Sequence, residues 1–295
     1  MRSTNSLELS KPRAVSGNNR TQFVIGRIAV YILMAIFVIV MLSPFLVMVT
    51  TSLRPTAYEL SAIPQLLPQE ISFDAYRELG DRLDLPRAFF NSIFVAGVGT
   101  AGQVLVSAMA AFAFSRIQWK YRNTVFLLYL GTMMIPGVVL IIPQFVLVRS
   151  LGWINNYAAL IFPTLFSAFG TFLLRQSFLA IPKDFEEAAF VDGANYFTIF
   201  WRIVLPLSGP ALATLSIFSF MGQWNSYLWP LFVARRPDVM TLPVALSLLQ
   251  AETRAVTEWN IVMAGAVVAV LPILLVYLVA QRWFVRGVIV SGIKG

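Results

Sequence analysis

The sequence predicts an all-α, polytopic membrane protein with six transmembrane helices. Three observations predict it. Of the 295 residues, 58% are hydrophobic and only 12% charged, against about 25% charged in an average soluble domain. Six apolar runs are bracketed by Arg, Lys or Glu and are long enough to span about 30 Å of hydrocarbon. Lys and Arg gather between the runs rather than in one basic patch, so the net charge of +8 reads as membrane topology and not as a nucleic-acid surface.

The elements follow in order. Residues 1–22 are polar and read as a tail. Residues 23–53 hold the first span, whose uncharged run Ile28–Leu53 is too long for the apolar core of a signal peptide, so a retained helix is expected. Residues 54–87 are polar, contain Pro55, Pro64 and Pro68, and form the largest loop. The second span is expected at Phe89–Phe114, the third at Thr124–Val146 with Pro136 and Pro143 inside it, and the fourth at Tyr157–Leu174. A polar island at 184–206 follows. The fifth span is expected at Leu207–Phe232, with Leu215 facing lipid. Met240–Leu249 is apolar but too short to cross, which makes it an external or re-entrant piece. The sixth span is expected at Ile261–Ala280, followed by a tail that includes residues 285–295.

Six spans put both termini on one side. Fourteen Lys and Arg flank the span ends on that side and eight flank the other. The excess predicts cytoplasmic termini, a cytoplasmic 184–206 loop and an extracytoplasmic 54–87 loop. Arg116, Lys120 and Arg122 read as topology signals.

The island at 184–206 is the most informative stretch. Asp184 is suited to cap a helix over 185–192, with Glu187 completing a capping box. Gly193 stands where a helix commonly ends in a left-handed residue, and a second helix is expected to start near Asn195, with Pro206 bending the junction. Ala188 and Ala189 leave room for a close approach to the backbone. A helix lying on the bilayer would carry Lys or Arg on its polar face, and this one is acidic.

The spacing Glu187-Ala188-Ala189, Gly193, Ile203, Leu205-Pro206 resembles the cytoplasmic EAA loop of ABC importer permeases at every fixed position. Asn91-Ser92, the Trp224–Leu231 stretch, Thr241–Val244 and the Lys294-Gly295 ending are similar to the carbohydrate branch, of the maltose-transporter type. The resemblance implies a type I ABC importer permease fold, with the transmembrane domain over 88–284, in a bacterial inner membrane. It implies a second permease subunit in a heterodimer, two ATP-binding cassette subunits and an extracytoplasmic solute-binding protein. Glu187, Ala188, Ala189, Asp192 and Gly193 would seat in an ATPase groove, with Ile203, Leu205 and Pro206 completing the loop. Lys294 and Gly295 would approach the ATPase interface, and the 235–258 segment would reach the binding protein.

The residues also exclude chemistry. The chain has no cysteine and no histidine, hence no thiolate, disulfide or imidazole base. It has no G-x-x-x-x-G-K-[ST] loop, so ATP and Mg belong to partner subunits and the chain is not itself an enzyme. No Asp, Glu, Lys or Arg stands mid-span, which disfavours an ion-coupled secondary transporter. Gln223, Trp224, Asn225 and Tyr227 are candidates for a solute path in the fifth span. At 100° per residue Gln223 and Tyr227 share a face, with Trp224 beside them and Asn225 turned away. The aromatics equally suit an interfacial belt, and Gln103, Gln144, Gln223 and Asn225 equally suit bonds between helices.

Overall fold

The computed structural model describes residues 18–55, 70–252 and 258–292. The described residues fold as helices and turns with no strand. The 1–17 stretch, residues 56–69 of the 54–87 loop, residues 253–257 and the Lys294-Gly295 ending lie outside the described residues.

Helix α1, Asn18–Ser52, keeps its whole apolar run in one piece. Its described side chains are exposed along most of its length, and it packs on α14, Trp259–Gly292. An apolar helix exposed on most sides is stable only where the solvent is hydrocarbon, because every backbone group is bonded within the segment. Helix α2, Asp74–Arg82, buries Ala75 and Leu79 against Leu249, Ile261 and Ala264, and the Arg82 guanidinium lies 2.6 Å from Glu258 at the start of α14.

Helix α3, Leu85–Ser115, is the axis of the bundle. The Asp84 side chain accepts from the Arg87 N–H, and Pro86 occupies its first turn. Its buried face is a row of small residues, among them Ala88, Ser92, Ala96, Gly99, Ser107, Ala108 and Ala111. Without bulk at these positions, α7 (Ala168–Leu179) and α11 (Gly209–Trp224) approach it closely, as small-residue stripes permit in membranes.

Three of the six expected spans are bent. In the third, α4 (Arg122–Gly131) runs into a 3-10 turn at Thr132–Met134. A second 3-10 turn at Gly137–Leu140 opens α5 (Ile141–Ser150), and the two halves meet at 91°. Pro136 is the cause: it forces Ile135 into extended backbone and withholds an N–H. In the fourth, α6 (Tyr157–Ile161) with its turn Phe162–Leu165 meets α7 at 43°, and Ser167 caps α7 by accepting from the Gly170 N–H at 3.0 Å. Helix α8 is Asp184–Val191.

The fifth span differs most from expectation. It begins inside the polar island with α9 (Tyr196–Ile199), a π-helical turn at Phe200–Val204 and α10 (Leu205–Leu207), then turns by 80° at Ser208 into α11. It stops at Trp224 and resumes as the short α12, Leu228–Val233. Leu215, expected to face lipid, is 1% exposed and sits in the core with Leu174, Phe178 and Ile199. Helix α13, Leu242–Glu252, packs between α3 and α14 and does not cross.

The opposite ends of α3 organise the two faces of the molecule. At its start, Asn91 donates to the Met240 carbonyl at 2.9 Å and to Asp238 at 3.2 Å, and accepts from the Tyr157 hydroxyl at 2.6 Å. The Ser92 hydroxyl accepts from the Leu242 N–H at 2.7 Å. At its end, about 36 Å from Asn91 at 1.5 Å per residue, lies the 184–206 island.

Candidate functional site

The island is built as expected in outline and differently in detail. Helix α8 spans Asp184–Val191, and Lys183 precedes it in helical conformation with no side-chain cap. The predicted capping box does not form, because Asp184 already lies inside the helix. Asp184, Glu186 and Glu187 all stand in the first turn, where negative charge complements the helix dipole.

Glu186 is the acid that turns inward. It is 8% exposed, and its carboxylate lies 2.8 Å from the Arg116 guanidinium, an ion pair rather than an aligned hydrogen bond. Arg116, at the end of α3, also donates to the carbonyls of Phe178 and Ile181 after α7. Arg116, read from the sequence as a topology signal, is also structural: it is 7% exposed and ties three segments together. Burial raises the Glu186 carboxyl above the usual carboxylate range, and the Arg116 and Lys183 charges pull it back part of the way. The sequence carried no signal for this pair beyond a second glutamate beside Glu187, since seventy positions separate the partners.

The turn after α8 is a Schellman motif. Gly193 has φ of +81°, its N–H bonds to the Phe190 carbonyl at 3.0 Å, and the Ala194 N–H bonds back to Ala189 at 2.9 Å. Asn195 then caps α9, its side chain accepting from the Thr198 N–H at 2.9 Å. Ala189, Ala194, Ile203 and Leu205 pack on the buried cluster of Phe112, Phe178, Ile199, Phe200 and Val204.

The predicted residues thus divide into two sets. Ala189, Ile203 and Leu205 anchor the loop. Glu187, Ala188, Asp192, Gly193 and Pro206 are exposed.

The predicted solute-path cluster does not hold together. Trp224 is 2% exposed, donates to the Ala269 carbonyl at 3.0 Å and packs against Phe220 and Phe89, so it is part of the core. Asn225 ends α11 and donates to the Met221 carbonyl at 2.8 Å. Tyr227 lies beyond the helix end and faces a separate recess beside Pro243 and Gln250. Gln223 and Tyr227 do not share a helical face, because the helix ends at Trp224, before Tyr227.

Gln223 alone reaches a substantial cavity, about 340 Å³, between α3, the Phe162–Leu165 turn, α7, α11 and α12. Its amide donates to Gln103 and accepts from Thr164, each at 3.4 Å. Its side chain lies directly over Gly99, where a Cβ would collide with it.

Comparison with known proteins agrees with this architecture. Residues 103–290, more than half of the chain, match the family described as binding-protein-dependent transport system inner membrane component. The chain is 34% identical to the arabinooligosaccharides transport system permease protein AraQ of Halalkalibacterium halodurans, over 85% of this chain and 91% of that one. It is 38% identical to the sn-glycerol-3-phosphate transport system permease protein UgpE of Yersinia enterocolitica, over 68% of this chain and 72% of that one. Among solved structures, a bacterial ABC transporter involved in import of the acidic polysaccharide alginate superposes with a TM-score of 0.78 at 26% identity, covering 92% of this chain and all of that one.

Proposed function

The chain belongs to the family of binding-protein-dependent transport system inner-membrane components, and from that premise we propose that it is one permease subunit of an ATP-driven importer of sugars or oligosaccharides. The observation that carries the proposal is the exposed edge Glu187, Ala188, Asp192 and Gly193, packed in place at one end of α3 while Asn91 and Ser92 grip the outer segment at the other. A loop that another protein is to push on must be accessible outward and anchored inward, and this loop has both properties.

In this reading the edge sits in a groove of an ATPase subunit on the cytoplasmic side. Two such subunits hold ATP and Mg, because this chain has no phosphate-cradling loop of its own. A sister permease completes the path, a solute-binding protein docks outside, and both termini are cytoplasmic. Movement at the edge reaches α3 through α8 and Arg116. Gln103, Thr164 and Gln223 line this subunit's share of the path. The saccharide reading leans on the arabinooligosaccharide relative; the glycerol-3-phosphate relative favours, as a second reading, a small non-sugar organic solute.

The test is capture in membranes. An Ala188→Cys chain, with no other cysteine, is expected to cross-link to a co-purifying Walker-type ATPase. A chain that assembles with no ATPase subunit overturns the reading. Ala188 suits the probe better than Ala189, which is half buried against the core.

A further inference from the structure

We propose that the cavity beside Gln103, Thr164 and Gln223 receives units of a neutral saccharide and excludes acidic ones. The inference rests on the importer reading above and deepens it, because the relatives leave the charge of the solute open. Arabinooligosaccharides are neutral, whereas sn-glycerol-3-phosphate and alginate are anionic.

This subunit's lining favours the neutral solute. Its polar members are the amides of Gln103 and Gln223 and the hydroxyls of serines and threonines, and none of the residues that line it carries a charge. An acidic unit would leave water and meet no cation there, and an unpaired charge is the most costly group to desolvate. A neutral polyol meets groups that donate and accept in the same measure as its own hydroxyls.

The existing bonds are open to exchange. The Gln223–Gln103 and Thr164–Gln223 contacts are both 3.4 Å, at the long limit of hydrogen bonding. The walls suit the C–H faces of a sugar ring: Phe169 and Phe218 meet edge to face with ring centres 6.3 Å apart. Trp229 is oriented by its bond to the Ala159 carbonyl at 2.8 Å. The volume, about 340 Å³, is at the small end of small-molecule sites, which fits passage of a chain unit by unit.

The experiment uses the assembled transporter without its binding protein, so that the selectivity read is the permease's own. A Ser226→Cys chain places a single thiol at the cavity wall. Its rate of labelling by a small maleimide is measured with lactose, arabinotriose or maltotriose, and with dimannuronate at the same concentration. At least one neutral saccharide is expected to slow labelling threefold or more, with dimannuronate inert. Thr164→Val, nearly the same shape, and Gln223→Leu are each expected to abolish the protection while the subunits still co-purify. Protection by dimannuronate equal to that by the neutral sugars, or by none of the saccharides, overturns the proposal. Uptake of an acidic solute by the complete ATP-driven, binding-protein-dependent system also overturns it and leaves the importer reading standing. Absence of a co-purifying ATPase removes the importer reading itself.

Discussion

The Arg116 guanidinium at the end of α3 lies 2.8 Å from the Glu186 carboxylate in the first turn of α8, and both side chains are nearly fully buried. The two residues are not equivalent. Without Arg116, the carbonyls of Phe178 and Ile181 lose their donor and Glu186 loses its partner. Without the Glu186 charge, Arg116 keeps both carbonyls. Arg116→Met is therefore expected to cost about 3–5 kcal/mol, the range for breaking a buried pair, and Glu186→Gln about 1 kcal/mol or less. Thermal unfolding in detergent checks the order. A larger loss for Glu186→Gln would refute the asymmetry.

The same pair fixes a pH dependence. Burial outweighs the neighbouring cations and holds the Glu186 carboxyl above its usual range. The folded state therefore binds this proton more tightly than the unfolded chain. Its contribution to stability is complete below the ordinary carboxylate value and is lost as pH rises through the raised one. The difference in melting temperature between wild type and Glu186→Gln isolates that contribution. The variant is expected to gain on wild type as pH rises through this window.

Gly193 holds φ of +81° in open space, so conformation and not crowding restricts the position. Gly193→Val should strain the Schellman turn by about 1–3 kcal/mol, whereas Gly193→Asn, which tolerates the left-handed region, should be accepted. The expected outcome is assembly for both variants, with solute-stimulated ATP hydrolysis lost only for valine. Equal hydrolysis by the two would show that the turn does not transmit. Glu187→Lys leaves the fold intact, since the residue is exposed, and should weaken ATPase capture.

Gly99 faces the Gln223 side chain across the α3–α11 contact. Gly99→Ala should displace the Gln223 amide from Gln103 and Thr164, since only the flexible end of a side chain has to move. We expect the half-saturating solute concentration to rise several-fold with the complex still assembled. Leu275→Ala, at an exposed apolar position on α14, serves as the unaffected control.

Sidedness is checked by single cysteines in a chain that has none. Asp81 and Val191 are both exposed, on α2 and α8 at opposite ends of α3. An impermeant thiol reagent added to intact cells should label Asp81→Cys and spare Val191→Cys. The reverse pattern would invert the orientation that the Lys and Arg bias predicts.

Composition and hydropathy by themselves determined the all-α membrane class, the number of spans and the place of the island, because each is local and lipid selects for unbroken apolar runs. The left-handed turn at Gly193 and the cap at Asn195 were legible for the same reason: both are set by residues within one turn. Where the spans bend was not. Pro136 breaks the third span and Pro143 does not, because the helix restarts at Ile141 and leaves Pro143 in its first turn, where no N–H is required. Nor could the pattern tell Glu186 from Glu187, place Leu215 in the core, or separate Tyr227 from Gln223. Those outcomes depend on contacts across tens of residues: Arg116 with α8, α7 against α11, and α13 over Asn91 and Ser92. Only the tertiary structure decided them, because a buried ion pair, a close helix crossing and a cavity each require partners that no window of sequence contains.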